Sequence, residues 1–261
     1  MHRGHAFSAL SAYAAVCAAG GRFLLRIEDI DATRCRPGYE AAIFEDLAWL
    51  GLTWEAPVRR QSDHLVDYEA VLAQLAADGL LYRCFRTRKE VAAAMTSAPH
   101  GPLEVFRGGP LAEDQEAGKL ARGEPFAWRL SLDAAKRRLG EFNGLTFTDN
   151  GDGIAAQPEL GGDVILARKD VGVAYHLAVV VDDALQGVDT VIRGRDLFQA
   201  THVHRLLQAL LHLPTPTYRH HPLLLEPEGR RLAKRDGAET LRTLRERGMS
   251  AAEVRRDLGF G

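Results

Sequence analysis

Two phosphate-type signals lie at opposite ends of this chain, and any fold it adopts must accommodate both. The first is His2-Arg3-Gly4-His5, which opens a helical pattern from about His5 to Ala19 that stops at Gly20-Gly21. A helix start gathers unpaired N–H groups and the positive end of the dipole, so it suits phosphate. Gly4 lets a ligand approach the backbone closely. The second is Gly229-Arg230-Arg231-Leu232-Ala233-Lys234-Arg235-Asp236-Gly237, a basic loop between glycines. Just behind the first helix, Phe23-Leu24-Leu25-Arg26-Ile27 reads as a short buried strand. A helix followed closely by such a strand predicts an α/β fold with a parallel sheet. Glu28-Asp29-Ile30-Asp31 then stands at the strand's carboxyl end, where open α/β sheets bind ligands. Glu28 is therefore a candidate binding residue, although taken alone the acidic stretch reads as a solvated turn.

Composition narrows the partners. A formal net charge of −2 excludes a molecule that attracts nucleic acid over its whole surface, so any RNA contact must come from a local patch. No apolar run reaches the length of a membrane span, and none reads as a signal peptide. The cysteines, Cys17, Cys35 and Cys84, are odd in number and widely spaced, which points to a reducing, cytoplasmic setting and away from a disulfide framework.

Between the two signals the pattern is mostly α/β. A helix starts at Pro37 and carries Ile43, Leu47 and Leu50 on one face. Another follows Ser62, with Leu65, Val66, Leu72 and Leu75 expected to face inward and Gly79 at its end. Leu80-Leu81-Tyr82 reads as a strand, and Thr87-Arg88-Lys89-Glu90 is a capping-box pattern. From about Thr96 to Gly162, Pro and Gly recur, and short strands are expected at Phe126–Leu130 and Leu145–Thr148. This stretch reads as an insertion. The α/β pattern resumes at Asp163–Arg168, and strands are expected at Asp189–Gly194 and Pro222–Leu225. Asp196 is expected to cap the helix carrying Leu206, Leu207, Leu210 and Leu211. The last stretch places Leu241, Leu244, Val254 and Leu258 at helical spacing among Arg242, Arg245, Arg247, Arg255 and Arg256. Those arginines read first as a solvated face and second as an RNA-backbone contact.

The motifs resemble those of the class I glutamyl-tRNA synthetases, in the right order and over nearly the whole chain. The first histidine motif and the Lys234 loop are similar to that class's HIGH and KMSKS signatures. Between them lie Arg26-Ile27-Glu28-Asp29-Ile30-Asp31, Tyr175-His176-Leu177-Ala178-Val179-Val180-Val181-Asp182-Asp183 and Arg193-Gly194-Arg195-Asp196-Leu197. The compact length resembles the glutamyl-Q tRNA(Asp) synthetases, stand-alone paralogues of the catalytic core. The resemblance implies a Rossmann-type parallel sheet with an inserted α+β subdomain and a short C-terminal helical tail. The expected boundaries are 1–95 and 163–235 for the two halves of the catalytic domain, 96–162 for the acceptor-binding-type insertion and 236–261 for the tail.

The implied activity is ATP-dependent conversion of L-glutamate to glutamyl-adenylate, followed by transfer to queuosine in the anticodon of tRNA(Asp). His2, His5 and Lys234 become the catalytic residues, and with Gly4 they bind ATP. Glu28 partners the ammonium of glutamate, Tyr175 is a polar wall and Arg193 a carboxylate clamp. Mg²⁺ is expected with the nucleotide, and the protein is expected to act as a monomer. The family begins with a strand, roughly Arg-Phe-Ala-Pro-Ser-Pro-Thr-Gly, ahead of its first motif, whereas here Met1 directly precedes His2; an in-frame upstream extension is therefore expected. Many members carry a zinc site after the Tyr82 region. Here Arg86, Pro102 and Phe106 stand where ligands would be needed, so no zinc is expected. Two alternatives stay open at this point. One is a fragment of a longer glutamyl-tRNA synthetase. The other is a nucleotide- or RNA-binding module without catalysis.

Overall fold

A computed structural model describes residues 1–31, 35, 37–97, 104–168, 172–224 and 239–261. Helix α1 (Arg3–Ala19) ends at Gly20, whose φ of 62° supplies the left-handed turn that favours glycine. Strand β1 (Arg26–Ile27), α2 (Pro37–Trp49) and β2 (Arg59–Arg60) follow. β1 and β2 pair in parallel, Arg26 beside Arg59 and Ile27 beside Arg60. A 3-10 turn at Gln61–His64 leads into α3 (Leu65–Ala77), then β3 (Leu81–Cys84) and α4 (Arg88–Ala93). The capping box that opens α4 is complete. Thr87 Oγ1 accepts from the Glu90 amide, and the Glu90 carboxylate accepts from the Thr87 amide at 2.7 Å.

The middle of the chain is built of short elements: β4 (Thr96–Ser97), β5 (Glu104–Val105), α5 (Glu113–Ala121), β6 (Ala127–Leu130) and α6 (Leu132–Leu139). β7 (Thr146–Asp149) and β8 (Asp152–Ala155) form a hairpin. Its turn residues, Asn150 and Gly151, both have positive φ, 52° and 92°, as the commonest two-residue hairpin turn demands. β9 (Ile165–Arg168), β10 (Gly172–Val173), α7 (Tyr175–Leu185), β11 (Thr190–Gly194), α8 (Phe198–Leu210), β12 (Thr217–His221), α9 (Leu241–Glu246) and α10 (Ala251–Asp257) complete the order.

The chain divides into two compact units. The first comprises Met1–Gln61, Thr190–Leu197 and Tyr218–Gly261. Its core joins Ala6 and Leu10 of α1 to Leu47 of α2, Leu241 and Leu244 of α9, and Val254 of α10. The last two helices therefore belong to the core, each buried leucine stabilising the unit by roughly 1.5–3 kcal/mol. Strand β11 packs on α1 and is hydrogen-bonded to β12.

The second unit comprises Ser62–Asp189 and Phe198–Thr217, so it begins well before the change of sequence texture near residue 96. Its sheet runs β10-β9-β6-β3 with every pairing antiparallel. The strand at Ile165–Arg168 is therefore part of an antiparallel sheet. Only residues 169–171 separate β9 from β10, and parallel neighbours need a crossover of a dozen residues or more. Asp163 ties this unit together. Its carboxylate accepts from Tyr82 Oη and the Gly108 amide, both at 2.8 Å, and from the Leu132 amide at 3.1 Å. Burial, then the charge of Asp163, pushes the Tyr82 hydroxyl far above its ordinary value. Elsewhere in the unit, the fully buried Tyr68 of α3 donates to both oxygens of the fully buried Asp182 of α7 at 2.9 Å.

Three expectations are corrected. Leu65 and Val66 are exposed, because they lie in the first turn of α3, and Tyr68 and Leu75 form its buried face. Asp196 lies within a 3-10 turn at Arg195–Leu197 that leads into α8 and does not stand at its cap. The strand expected at Pro222–Leu225 lies earlier, at Thr217–His221, and stops where Pro222 has no N–H to give to a ladder. No described helix is long and apolar enough to cross a membrane.

Candidate active site

The first unit contains most of the expected site residues, with His2, Gly4 and His5 at the start of α1. His2 is the N-cap. Its Nδ1 accepts from the Gly4 amide at 3.1 Å and the His5 amide at 3.4 Å, while His5 Nδ1 accepts from the His2 amide at 3.4 Å. The two imidazoles stack with centroids 3.6 Å apart. This is a capping box built from histidines, and it corrects two details. The first-turn amides of Gly4 and His5 are taken by His2, so they are not bare donors. A neutral imidazole whose Nδ1 accepts carries its proton on Nε2, so the donor of each neutral ring is its Nε2–H. Gly4 also has a nearer reason to be glycine than ligand approach. A Cβ there would lie 3.0 Å from His2 Cε1 and 3.1 Å from Nδ1, too close for the capping ring.

Lys234 and its loop lie outside the described residues. The chain on either side of the loop is anchored to α1. Before it, His221 Nε2 sits 3.0 Å from Ser8 Oγ, with its ring edge-on to Phe7 at 5.0 Å. After it, Thr240 forms an antiparallel bridge to His2, and the Leu241 amide donates to the Met1 carbonyl at 2.8 Å. Two segments far apart in sequence thus meet at one helix end.

Arg193 projects from β11, the strand packed on α1. Its Nε donates to His220 Nε2 at 3.2 Å, its Nη2 to the Leu197 carbonyl at 3.4 Å, and its Cζ lies 5.3 Å from the Tyr218 ring centre. The sequence reading missed both Tyr218 and His220. The visible signal was an aromatic and a histidine two apart just before Pro222, a spacing that puts both on one strand face. Glu28 follows β1 directly and is exposed. One carboxylate oxygen lies 3.2 Å from Arg26 Nη2, so the acidic turn already has a cationic partner. Arg60 adds to this, pairing with Glu40 and approaching Asp29 at 4.0 Å.

Tyr175 lies in the second unit, at the first position of α7, half-buried and 5.6 Å from the rings of His176 and His204. His176 Nδ1 and the buried His204 Nε2 are 3.2 Å apart, so one of the two must donate to the other. The expected residues therefore divide three ways: His2, Gly4, His5, Glu28 and Arg193 share the first unit, Tyr175 is in the second, and Lys234 is not described.

The second unit also holds a cavity of about 590 Å³ between α4 and the face of its antiparallel sheet. Arg86, Arg88, Arg129 and Arg168 line it together with Phe85, Phe126 and Met95, and none of its lining residues is acidic. Arg86 and Arg88 make no ion pair among the described residues. Arg129 is 7 % exposed, lies over Phe106 at 4.4 Å, and has an Nε without a hydrogen-bond partner. The arginines of the C-terminal helices behave differently. Arg242 and Arg245 both pair with Glu45, Arg247 pairs with Glu239, and Arg255 donates to the Leu50 carbonyl at 3.0 Å. All four already have partners within the protein.

Where the resemblance would place zinc ligands, Cys84 is buried against Tyr82 and Phe106, and Arg86 lies over the Phe106 ring at 5.9 Å. Position 102 lies outside the described residues. Among the described residues no group of three or more His, Cys, Asp or Glu is arranged to hold a metal.

Comparison with known proteins agrees with this architecture. Residues 1–256 match the family described as tRNA synthetases class I (E and Q), catalytic domain. The chain is 43 % identical to the glutamyl-Q tRNA(Asp) synthetase of Rhodobacter capsulatus, over 100 % of this chain and 96 % of that one. It is also 43 % identical to the protein of that name from Nocardia farcinica, over 97 % of this chain and 78 % of that one. A glutamate–tRNA ligase of Synechococcus is 37 % identical over 87 % of this chain, which spans only 48 % of that longer relative. Among solved structures, a glutamate tRNA ligase from Elizabethkingia meningosepticum in complex with its amino acid aligns with a TM-score of 0.72 and 26 % identity, over 91 % of this chain and 50 % of that one. The α/β chain is therefore a ligase that belongs to the class I tRNA synthetase family (E and Q), on its glutamyl-Q tRNA(Asp) synthetase branch.

Proposed function

We propose that this protein activates L-glutamate with ATP and passes the glutamyl group to the queuosine base in the anticodon of tRNA(Asp). In the first step a glutamate carboxylate oxygen attacks the α-phosphorus. The bond to the bridging oxygen breaks, and pyrophosphate leaves. Such chemistry is served by positioning and charge stabilisation more than by covalent help. The Nε2–H groups of His2 and His5 donate to phosphate oxygens, Gly4 keeps the His2 ring in place, and Lys234 meets the charge on the departing pyrophosphate. Mg²⁺ comes with ATP, held mainly by phosphate oxygens and water. Arg193 clamps a carboxylate of the amino acid, Glu28 partners its ammonium, and Tyr175 forms a polar wall. In the second step a hydroxyl of the modified base attacks the activated carbonyl, AMP departs with the bonding electrons, and the hydroxyl proton is released.

The observation that carries the activation step is the anchoring of both flanks of the basic loop on the helix capped by His2. The proposed acceptor is supported by the names of the relatives that match over most of their own length. RNA binding is supported by the arginine-lined cavity, whose apolar walls and guanidinium groups suit a phosphate beside a base. We place the enzyme in the cytoplasm, acting as a monomer. The test supplies ATP, labelled glutamate and bulk tRNA, then cuts the tRNA with nuclease and locates the label. Label on the anticodon fragment, absent with tRNA from cells lacking queuosine, supports the proposal. Label confined to the 3′-terminal adenosine assigns the protein to ordinary tRNA charging.

A further inference from the structure

Strand β12 alternates, and Tyr218 and His220 share one of its faces. Their rings are parallel within 6°, with centroids 5.9 Å apart, and they are 1 % and 5 % exposed. Arg193 reaches this pair from the neighbouring strand β11, lying over the tyrosine and donating Nε–H to His220 Nε2. Arginine has no acceptor to offer, so His220 Nε2 must keep its lone pair. The histidine is thereby neutral toward Arg193, with its proton on Nδ1. A guanidinium meets a carboxylate through a two-donor fork, either Nε with Nη2 or Nη1 with Nη2. His220 occupies the first fork.

We infer that His220 is a positioning residue that turns Arg193 so that its Nη1–Nη2 edge meets the carboxylate of the amino acid substrate. The inference rests on the proposed role of Arg193 as the carboxylate clamp. Tyr218 supports the guanidinium plane from its face, and the Leu197 carbonyl fixes the Nη2 end. A fork held on two sides sits at one distance and one angle. His220 therefore contributes to the choice of glutamate over aspartate, whose carboxylate stops one methylene short.

The test measures pyrophosphate exchange into ATP, with bulk tRNA present, as glutamate is varied. His220→Leu should raise KM for glutamate about tenfold or more, as expected for loss of a hydrogen bond to a charged group. The kcat and the KM for ATP should stay within about twofold, because the loss falls on amino acid binding. His220→Gln, whose amide oxygen reaches the position of Nε2, should restore KM. His220→Asn, one bond shorter, should not. This pair keeps the test valid if the leucine variant folds poorly. An unchanged glutamate KM in His220→Leu, or equal behaviour of Gln and Asn, overturns the positioning role if Arg193→Ala still raises that KM. If Arg193→Ala itself leaves KM unchanged, the clamp reading fails and takes the inference with it.

Discussion

The C-terminal helices and the cavity of the second unit use arginine to opposite ends. In the helices the charge is consumed: Glu45 meets Arg242 and Arg245, Glu239 meets Arg247, and Arg255 holds the Leu50 carbonyl. In the cavity Arg86 and Arg88 make no close ion pair among the described residues, and Arg129, which donates to the Asp163 carbonyl, keeps an Nε without a partner. In the sequence the helices read first as a solvated face, and the density of their arginines offers an RNA contact as a second reading. Density of charge along a chain does not measure charge available to a partner. Availability depends on which acids the fold brings near, and Glu45 is almost two hundred residues away in sequence from its arginines.

The contrast can be broken by separating activation, RNA binding and stability. The largest expected effect lies outside both regions. Lys234→Ala should slow glutamate-dependent pyrophosphate exchange about 10²–10³-fold, the usual loss for one donor aimed at developing charge. RNA affinity and unfolding midpoint should stay near wild type. A matching loss of RNA affinity would class the loop with the cavity instead.

Next in size, Arg86→Glu combined with Arg88→Glu should weaken tRNA binding about 10- to 100-fold and lower the slope of log affinity against log salt by about 2. Exchange activity should hold. Filter binding over a salt series gives the slope, and an unchanged slope would remove the phosphate contacts from this cavity.

Arg255→Ala should leave RNA binding alone and cost about 1–2 kcal/mol of stability through its lost carbonyl contact and packing. Urea unfolding checks this. A normal midpoint together with weakened RNA binding would erase the distinction between the two regions.

The smallest effect concerns the cap of α10. The side chain and then the backbone of Ser250 hold the Glu253 carboxyl below its ordinary value. A carboxyl lowered in the folded state stabilises the fold above its unfolded pKa, and that gain fades as pH falls through the folded value. Glu253→Gln should therefore lower stability slightly near neutrality and flatten the acid limb, the variant and the parent converging as pH falls through the folded value. Thermal melts from pH 3 to 7 would show whether the limb moves.

Features written within a few residues were legible in the sequence. The Thr87–Glu90 capping box, the end of α1 at Gly20 and the helical spacing of Leu241, Leu244 and Val254 depend on neighbours. The histidine motif was recognisable, but its internal capping was not, because Ser, Thr, Asp and Asn are the usual cap residues. Strand partners are set at tertiary range. The antiparallel placement of β9 and the pairing of Arg193 with His220 could not be read from local pattern. Asp182, singled out within a motif, serves the buried Tyr68 hydroxyl, a partner 114 residues away.

Two chain segments made early, α1 and α2, share their core with helices made much later. During synthesis Leu10 and Leu47 leave the ribosome long before Leu241 and Val254 exist to cover them. The second unit is nearly continuous, so it can close while the first still waits, since domains tend to fold as they emerge. The apolar face of α1 is thus a surface a nascent chain must shield for a long interval, and chaperone dependence or translational pausing should track residues 241–258.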